Sequence, residues 1–332
     1  MSGARSWMLY GAAGYTGALI AEQALERGHR PVLAGRSEPA IAALAEKLGL
    51  AHLCFSVDDP AAMDAALAEV GMVLNVAGPF LYTAAPLAVA CLKAGVHYLD
   101  ISNELQVFRA LYDLHQRAEH AGVAIIPGVG FGVVATNCLA RYVSDTVGGA
   151  EHLEVATRAA IAQPGPGAAA TRRESLAYGG WVRHNGALEP LSLGSGITTI
   201  TLPDGPCQVM PVPTGDLEAA FQATGAADIV SYAPVPAPAV VGPEASDKHA
   251  AAPQAYRSSG WARATGPGGA TAEALLQTGE SYLFTTMASI RAVEETLAGS
   301  PRGALSPAAA FGTDFALTVP GTTRTGGDRH ER

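Results

Sequence analysis

Three glycines at even spacing, in Gly11-Ala12-Ala13-Gly14-Tyr15-Thr16-Gly17, constrain this chain more than any other feature. They follow an apolar segment, Trp7 to Tyr10, that reads as a short buried strand. They open a segment, Thr16 to Arg27, that carries Ile20, Ala24 and Leu25 at helical spacing. Strand, glycine turn and helix form the context in which such a turn cradles a diphosphate. Gly11 makes the tight turn, Gly14 lets the backbone approach a pyrophosphate, and Gly17 lets helix and strand pack closely. The helix N-terminus then offers free N–H groups and the positive end of its dipole. Contacts to a dinucleotide are expected from Gly11, Ala13, Gly14, Tyr15, Thr16 and Gly17. A glycine turn without a ligand is the competing reading.

The alternation continues to about residue 130. Strand-like segments are read at Pro31 to Ala34, Ala51 to Val57, Met72 to Val76, His97 to Ile101 and Val123 to Ile126. Helices are read at Glu38 to Leu48, Ala61 to Ala68, Ala85 to Ala94 and Val107 to Ala121. Repeated strand–helix–strand units with short connections argue for an α/β, Rossmann-type, doubly wound parallel sheet. After about residue 135 the pattern changes. A helix is read from Asn137 to Thr146. Thr-, Val- and Ile-rich segments follow at His152 to Thr157, Ile197 to Leu202 and Ile229 to Val235. Pro- and Gly-rich stretches, Gln163 to Gly167 and Pro234 to Pro243, separate them. A second α+β domain built on a mostly antiparallel sheet is expected. It closes with a strand at Ala272 to Thr278 and an amphipathic helix at Tyr282 to Ala298. The expected organisation is a dinucleotide-binding domain over 1–135 and a substrate and dimerisation domain over 136–299. A segment at about 300–321 returns to the first domain, and a disordered polar tail runs over 322–332.

The end of the second strand selects the cofactor. NAD enzymes usually place Asp or Glu there for the ribose 2′-OH, whereas this strand ends Leu33-Ala34-Gly35-Arg36-Ser37. A guanidinium pairs with a 2′-phosphate, so Arg36 and Ser37 point to NADP(H). Glu38 is the counter-candidate for a ribose contact. Asp58 follows the third strand, where side chains flank an adenine, while Asp58 and Asp59 also suit helix N-capping before Pro60. Ala77-Gly78-Pro79-Phe80 closes the fourth strand and brings backbone towards the nicotinamide ribose.

Other classes are excluded by what the chain carries. Of 332 residues, 48% are hydrophobic and 15% charged, enough apolar content for a large core. Net charge is -9 with no long basic run, which argues against a nucleic-acid partner. No apolar run reaches the roughly 18 residues of a membrane helix, and Met1 to Ser6 lead straight into a strand with no leader pattern. Cys54, Cys91, Cys138 and Cys207 are scattered, so neither a disulfide framework nor a metal site is expected. A cytoplasmic protein fits reduced thiols.

Taken together, these residues resemble the saccharopine dehydrogenase-like oxidoreductases, and within them the bacterial branch that includes trans-acting enoyl reductases. The matching runs are Leu9 to Gly17, Leu33 to Arg36, Ala77 to Phe80, Cys91 to Asp100, Pro127 to Phe131, Gly215 to Gly225 and Phe311 to Phe315. The resemblance implies a Rossmann domain, a second α+β domain and NADP(H)-dependent reduction. Three departures stand out. The family's Gly-Phe-Asp is Gly130-Phe131-Gly132 here, and its Val-Pro-Ser-Asp is Val134-Ala135-Thr136-Asn137. Its Asp-x-Thr-Gly-Glu is Asp100-Ile101-Ser102-Asn103-Glu104. Two acidic positions are thereby lost, at Gly132 and Asn137.

Hydride transfer needs the nicotinamide held near an electrophilic carbon, water excluded, and a proton supplied to the other atom. In such sheets that place lies beyond the carboxyl ends of the strands. Candidate catalytic groups there are Tyr82, Asp100, Glu104 and Asn137, with Ser102 beside the cofactor and Asn103 able to hydrogen-bond a substrate oxygen. Each also has a structural reading. Arg172, Arg173, Arg183 and His184 are candidates to grip a carboxylate or a carrier phosphopantetheine. The expected function is NADPH-dependent reduction of an activated C=C bond, as in an enoyl thioester, or of a C=N bond. The substrate is small or carrier-bound and the assembly a homodimer. A non-catalytic NADP-binding sensor or partner protein, and a redox-neutral isomerase or cyclase, are the alternatives.

Overall fold

The computed structural model describes residues 6–161, 178–192, 194–235 and 257–331. The first half alternates β1 (Trp7–Tyr10), α1 (Tyr15–Glu26), β2 (Val32–Gly35), α2 (Glu38–Leu48), β3 (His52–Cys54) and α3 (Pro60–Leu67). It continues through β4 (Met72–Asn75), α4 (Phe80–Ala94), β5 (His97–Asp100), α5 (Leu105–Tyr112), α6 (His115–Ala121) and β6 (Ala124–Ile126). The second half opens with α7 (Phe131–Val147), then β7 (His152–Arg158), β8 (Gly180–His184), β9 (Ala187–Leu191), β10 (Thr198–Leu202), β11 (Gly205–Pro211) and α8 (Asp216–Thr224). It ends with β12 (Asp228–Pro234), β13 (Ser258–Thr265), β14 (Thr271–Thr278), α9 (Ser281–Gly299), β15 (Gly303–Ala304), α10 (Pro307–Phe311) and β16 (Thr323–Gly326).

The first sheet has the order β15-β6-β5-β4-β1-β2-β3 and every pairing in it is parallel. Its central strands are apolar and buried along their whole length, as strands covered by helices on both faces must be. The chain order reverses between β1 and β4, and a crevice opens there beyond the strand ends. Gly303 and Ala304 pair with Ala124 and Ile125, so a segment after α9 completes the first sheet.

The second sheet runs β10-β11-β12-β7-β13-β14-β16, with the β8–β9 hairpin attached to β12. Only the β12–β7 pairing is parallel. Helix α7 lies across β13, β14 and β7. It comes so near β13 that a Cβ on Gly260 would stand 3.2 Å from Ala135 Cβ. Helix α9 packs back on α1, and Glu294 fastens it there by ion pairs with Arg27 at 2.8 Å and His29 at 3.0 Å.

Several sequence expectations need correction. Val107 to Ala121 is two helices, because Leu114 N donates to Leu111 O in a tighter turn where one helix would have continued. The helix expected from Asn137 starts at Phe131; burial of nearly its whole surface overrides the weak helix preference of Gly132, Val133 and Val134. The tail expected to be disordered from Thr322 carries β16, whose backbone pairs with the open edge of β14. His330 and Thr271 exchange backbone hydrogen bonds beyond it, and the Arg324 guanidinium lies 3.7 Å from the Tyr142 ring centre. Backbone pairing and this stacking order a polar segment that has no hydrophobic pattern of its own. The stretch Gln163 to Gly167, part of Pro234 to Pro243, and Arg172 and Arg173 lie outside the described residues.

Candidate active site

The glycine turn ends β1 with Gly11 at φ +89, a conformation that strains any side chain. A Cβ there would also stand 2.7 Å from Ala77 N, so the turn is pressed against the loop after β4. The amides of Gly11 and Ala12 both donate to Ala34 O and pin the turn to β2. Gly17 is buried, and a Cβ on it would lie 2.4 Å from Gly11 O. Gly14 is different. It is exposed, its φ is −74, and a Cβ would meet only Gly11 O, at 3.3 Å. The protein's own packing demands Gly11 and Gly17 but not Gly14. What Gly14 keeps clear is the space in front of α1, whose first amides have no helical acceptor and no side-chain cap. That cradle fits a diphosphate. Gly17→Ala is expected to cost about 1–3 kcal/mol by overpacking, read as a lowered melting midpoint. Gly14→Ala should leave the midpoint nearly unchanged yet weaken NADPH binding at least about tenfold, read by fluorescence titration.

The turn forms one end of a cleft of about 1100 Å³ that runs between the two sheets. Arg36 and Ser37 line it beyond β2, together with Ile41, Val57 and Asp58. Arg36 is exposed and has no ion-pair partner among the described residues. Glu38 is absent from the cleft wall and pairs with His52, 3.3 Å distant. The Asp58 carboxylate accepts from Ser56 Oγ, while Asp59 caps α3 through Ala62 N at 3.1 Å.

Ala77, Gly78, Pro79 and Phe80 line the middle of the cleft, with Tyr82 at its solvent side. Tyr82 is 64% exposed. Behind them runs a buried hydrogen-bond chain. Asn75 Nδ2 donates to Tyr98 Oη at 3.0 Å, and that hydroxyl donates to Asp100 Oδ2 at 2.9 Å. The other Asp100 oxygen accepts from Ser102 N, Ser102 Oγ and Gly128 N. Asp100 is therefore fully buried and fully partnered, and it is absent from the cleft wall. Its carboxylate holds the end of β5 to the loop after β6, which corrects the expectation that it meets the substrate. Ser102 does line the cleft, with its hydroxyl committed to Asp100.

Glu104 is placed differently. It lines the cleft, is 1% exposed, accepts from Asn103 N through Oε2 and has the Phe80 amide beside its carboxyl, while Oε1 makes no hydrogen bond of its own. Burial pushes its carboxyl above the ordinary carboxylate range, and the nearby Asp100 charge pushes the same way. Glu104 is also bridged to Thr214, and Gly215 N donates to Asn103 O, so this loop is stitched to the second domain. Asn137 lies outside the cleft. Its Nδ2 donates to Ala219 O and its Oδ1 accepts from Ala308 N, so it clamps α7 to α8 and α10. That corrects the second catalytic expectation, since both of its polar atoms are spent on structure.

The second domain supplies the opposite wall. Ile161, Met210, Val212, Ala233 and Val235 make it largely apolar, and Arg158, paired with Asp204 at 2.7 Å, supplies its positive charge. Sequence reasoning missed Arg158, because a lone arginine at a strand end carries no signal without the neighbouring hairpin. At the mouth, Tyr15 meets Tyr282 edge to face at 5.0 Å. Thr285 of α9 accepts from Phe131 N at 3.1 Å and so fixes the start of α7. Arg183 and His184 do not reach the cleft. Arg183 is buried against Glu218 and the Phe221 ring, and His184 pairs with Asp228. Among the described residues no group of His, Cys, Asp or Glu converges to hold a metal ion, and no helix is long and apolar enough to cross a membrane.

Comparisons with known proteins agree with this geometry. Residues 7–126 match the family model of the saccharopine dehydrogenase NADP binding domain. A trans-acting enoyl reductase of Mycobacterium ulcerans is 34% identical over 132 residues, which cover 37% of this chain and 32% of that protein. A trans-acting enoyl reductase of Mycobacterium tuberculosis is 35% identical over 132 residues, with the same coverage. The chain thus spans about a third of the length of the curated relatives it matches. Saccharopine dehydrogenase (L-Glu forming) from Saccharomyces cerevisiae shares the fold, with a TM-score of 0.62 at 11% identity, over 97% of this chain and 99% of that one. The parallel sheet with its glycine cradle and the attached second sheet share the fold of saccharopine dehydrogenase, and residues 7–126 are a saccharopine dehydrogenase NADP binding domain.

Proposed function

We propose that the protein reduces an activated double bond with NADPH, in the first instance the C=C bond of an enoyl thioester, small or carrier-bound. One observation carries the reading. A single cleft joins an unpaired arginine, an uncapped helix start kept clear by Gly14, and a buried glutamate with one oxygen that makes no hydrogen bond. The relatives' names favour the enoyl substrate, and the apolar wall of Ile161, Met210 and Val212 suits an acyl chain. A cyclic imine, with its C=N bond, is the second substrate class.

In this reading the bound dinucleotide supplies the hydride. Arg36 and Ser37 take the 2′-phosphate, with Asp58 beside the adenine. The turn from Gly11 to Gly17, with Ala13, Tyr15 and Thr16, takes the diphosphate. Ala77 to Phe80 and Ser102 border the nicotinamide ribose. Glu104 is the proton donor, because burial keeps its carboxyl protonated to higher pH than an exposed one. Tyr82, largely in solvent, serves the cleft mouth. Asp100 and Asn137 hold the frame. The protein works as a homodimer in the cytoplasm, two-fold pairs being the commonest closed assembly. Sedimentation equilibrium checks the pair by a mass twice that of the chain.

The test is NADPH oxidation, followed by its absorbance, with crotonyl-type thioesters and cyclic imines. Turnover with neither class overturns the reading. Arg36→Ala should raise the KM for NADPH by about tenfold to a hundredfold, the worth of a charge-assisted hydrogen bond, and leave that for NADH nearly unchanged. Equal losses with both dinucleotides would remove Arg36 from the 2′-phosphate.

A further inference from the structure

Gly132 is a glycine with no backbone reason to be one. It sits in the first turn of α7, and its φ is not positive. A helix interior disfavours glycine against alanine, so something must compensate. The three atoms nearest a Cβ on Gly132 would all belong to the Asn103 side chain, with Nδ2 2.9 Å away. The missing side chain of residue 132 is therefore the room in which the Asn103 amide stands.

Asn103 is held from three sides. Its backbone N donates to Glu104 Oε2, its backbone O accepts from Gly215 N, and its side chain rests on α7. It lines the cleft among the loops that end β4, β5 and β6. Yet its Oδ1 is buried with no hydrogen-bond partner. A buried acceptor left unpaired in so fixed a position is accounted for when a ligand brings the missing donor. The cofactor assigned to this cleft carries one polar group at its redox end, a carboxamide, which presents an N–H₂ donor and a carbonyl acceptor. An asparagine amide is its complement, with one acceptor and one donor side by side.

We propose that Asn103, in the space left by Gly132, reads the carboxamide of the nicotinamide ring and fixes the ring's orientation in the cleft. The inference rests on the assignment of NADP(H) to this cleft. It leaves Glu104 Oε1 for the substrate.

Binding of NADP⁺ and of its analogue with an acetyl group in place of the carboxamide tests it, by calorimetry and without turnover. The analogue keeps the carbonyl and loses the N–H₂. The wild-type protein should bind NADP⁺ about tenfold more tightly than the analogue. Asn103→Ala should bind both within about threefold of each other, because the acceptor is gone. Gly132→Ala should show the same loss of discrimination by displacing the amide, with Asn103 itself unchanged. Asn103→Asp, which keeps an acceptor oxygen, should retain the preference for NADP⁺. Wild-type protein that binds both dinucleotides equally, or Asn103→Ala that still discriminates, overturns the proposal. Wild-type protein that binds neither overturns the cofactor assignment and this proposal with it.

Discussion

Glu104→Gln lowers kcat for thioester reduction by about 10²–10⁴-fold, the usual worth of a positioned general acid, and leaves the Kd for NADPH within a few-fold of wild type. The two effects separate because Glu104 meets the cleft at a distance from the glycine turn and from Arg36, while its own Oε1 makes no hydrogen bond. Glutamine keeps the shape and the acceptor for Asn103 N but has no acidic proton to give. The pH profile distinguishes this from a structural effect. A group that must be protonated to act loses activity as pH rises through its pKa, and burial moves that falling limb of the Glu104 profile upwards from the ordinary 4.5. In Glu104→Gln the limb should vanish. Tyr82→Phe should change kcat less than about tenfold, since a phenol 64% exposed is poorly placed to hold a proton against solvent. Stopped-flow measurement of NADPH oxidation between pH 5 and 9, chosen as about two units either side of neutrality, reads all three. A Tyr82→Phe variant that loses the larger share would move the acid to the cleft mouth.

The division between what was legible in the sequence and what was not follows the reach of each interaction. The glycine turn could be read from seven consecutive residues, because Gly11 is required by its own φ of +89 and Gly17 by the nearness of Gly11 and Ala12. The parallel order could be read as well, since each βα unit carries its own apolar strand and amphipathic helix. Arg36 could be placed because the end of β2 is a fixed address relative to that turn. Asp100 and Asn137 could not be told from catalytic groups. Their partners, Gly128 for one and Ala219 and Ala308 for the other, come from distant segments, and only folding shows that their polar atoms are consumed. The same limit hid α8, whose start is fixed by Gly215 meeting Asn103, and β16, which borrows the edge of β14. Two acidic positions of the resembled family are replaced here, by Gly132 and Asn137. The structure places one of them, Asn137, outside the cleft and fills the room beside the other, Gly132, with the amide of Asn103.

Asp216→Asn should stabilise the protein at neutral pH, against the usual direction of a buried polar substitution. Asp216 opens α8, is 3% exposed, and is surrounded by Thr136, Thr214 and Ser231 hydroxyls rather than by a cation. Thr136 has one proton and three acceptors within reach, namely Gly132 O, Val133 O and Asp216 Oδ1. If the threonine gives its proton to the helix, the contact to Asp216 is made only when the carboxyl itself carries a proton and donates. Burial pushes the Asp216 pKa up to about 6 from 3.8, and the Thr136, Thr214 and Ser231 hydroxyls offset only part of that rise. The folded state thus holds more protons than the unfolded state between those values, so unfolding free energy falls as pH rises from about 4 to about 6. Above that window the cost is complete and reaches up to about 3 kcal/mol. Asparagine with Nδ2 in the place of Oδ1 donates to Thr136 as the protonated acid does, and it carries no charge at any pH. Asp216→Asn should therefore match wild type near pH 4 and exceed it above pH 6, with a flatter profile between, in urea titrations across that range. Asp216→Ala, which leaves three hydroxyls facing a void, should be less stable at every pH. An Asp216→Asn protein that is weaker than wild type at pH 7 would mean that the carboxylate is held charged by these hydroxyls, and that Thr136 donates to it and not to its own helix.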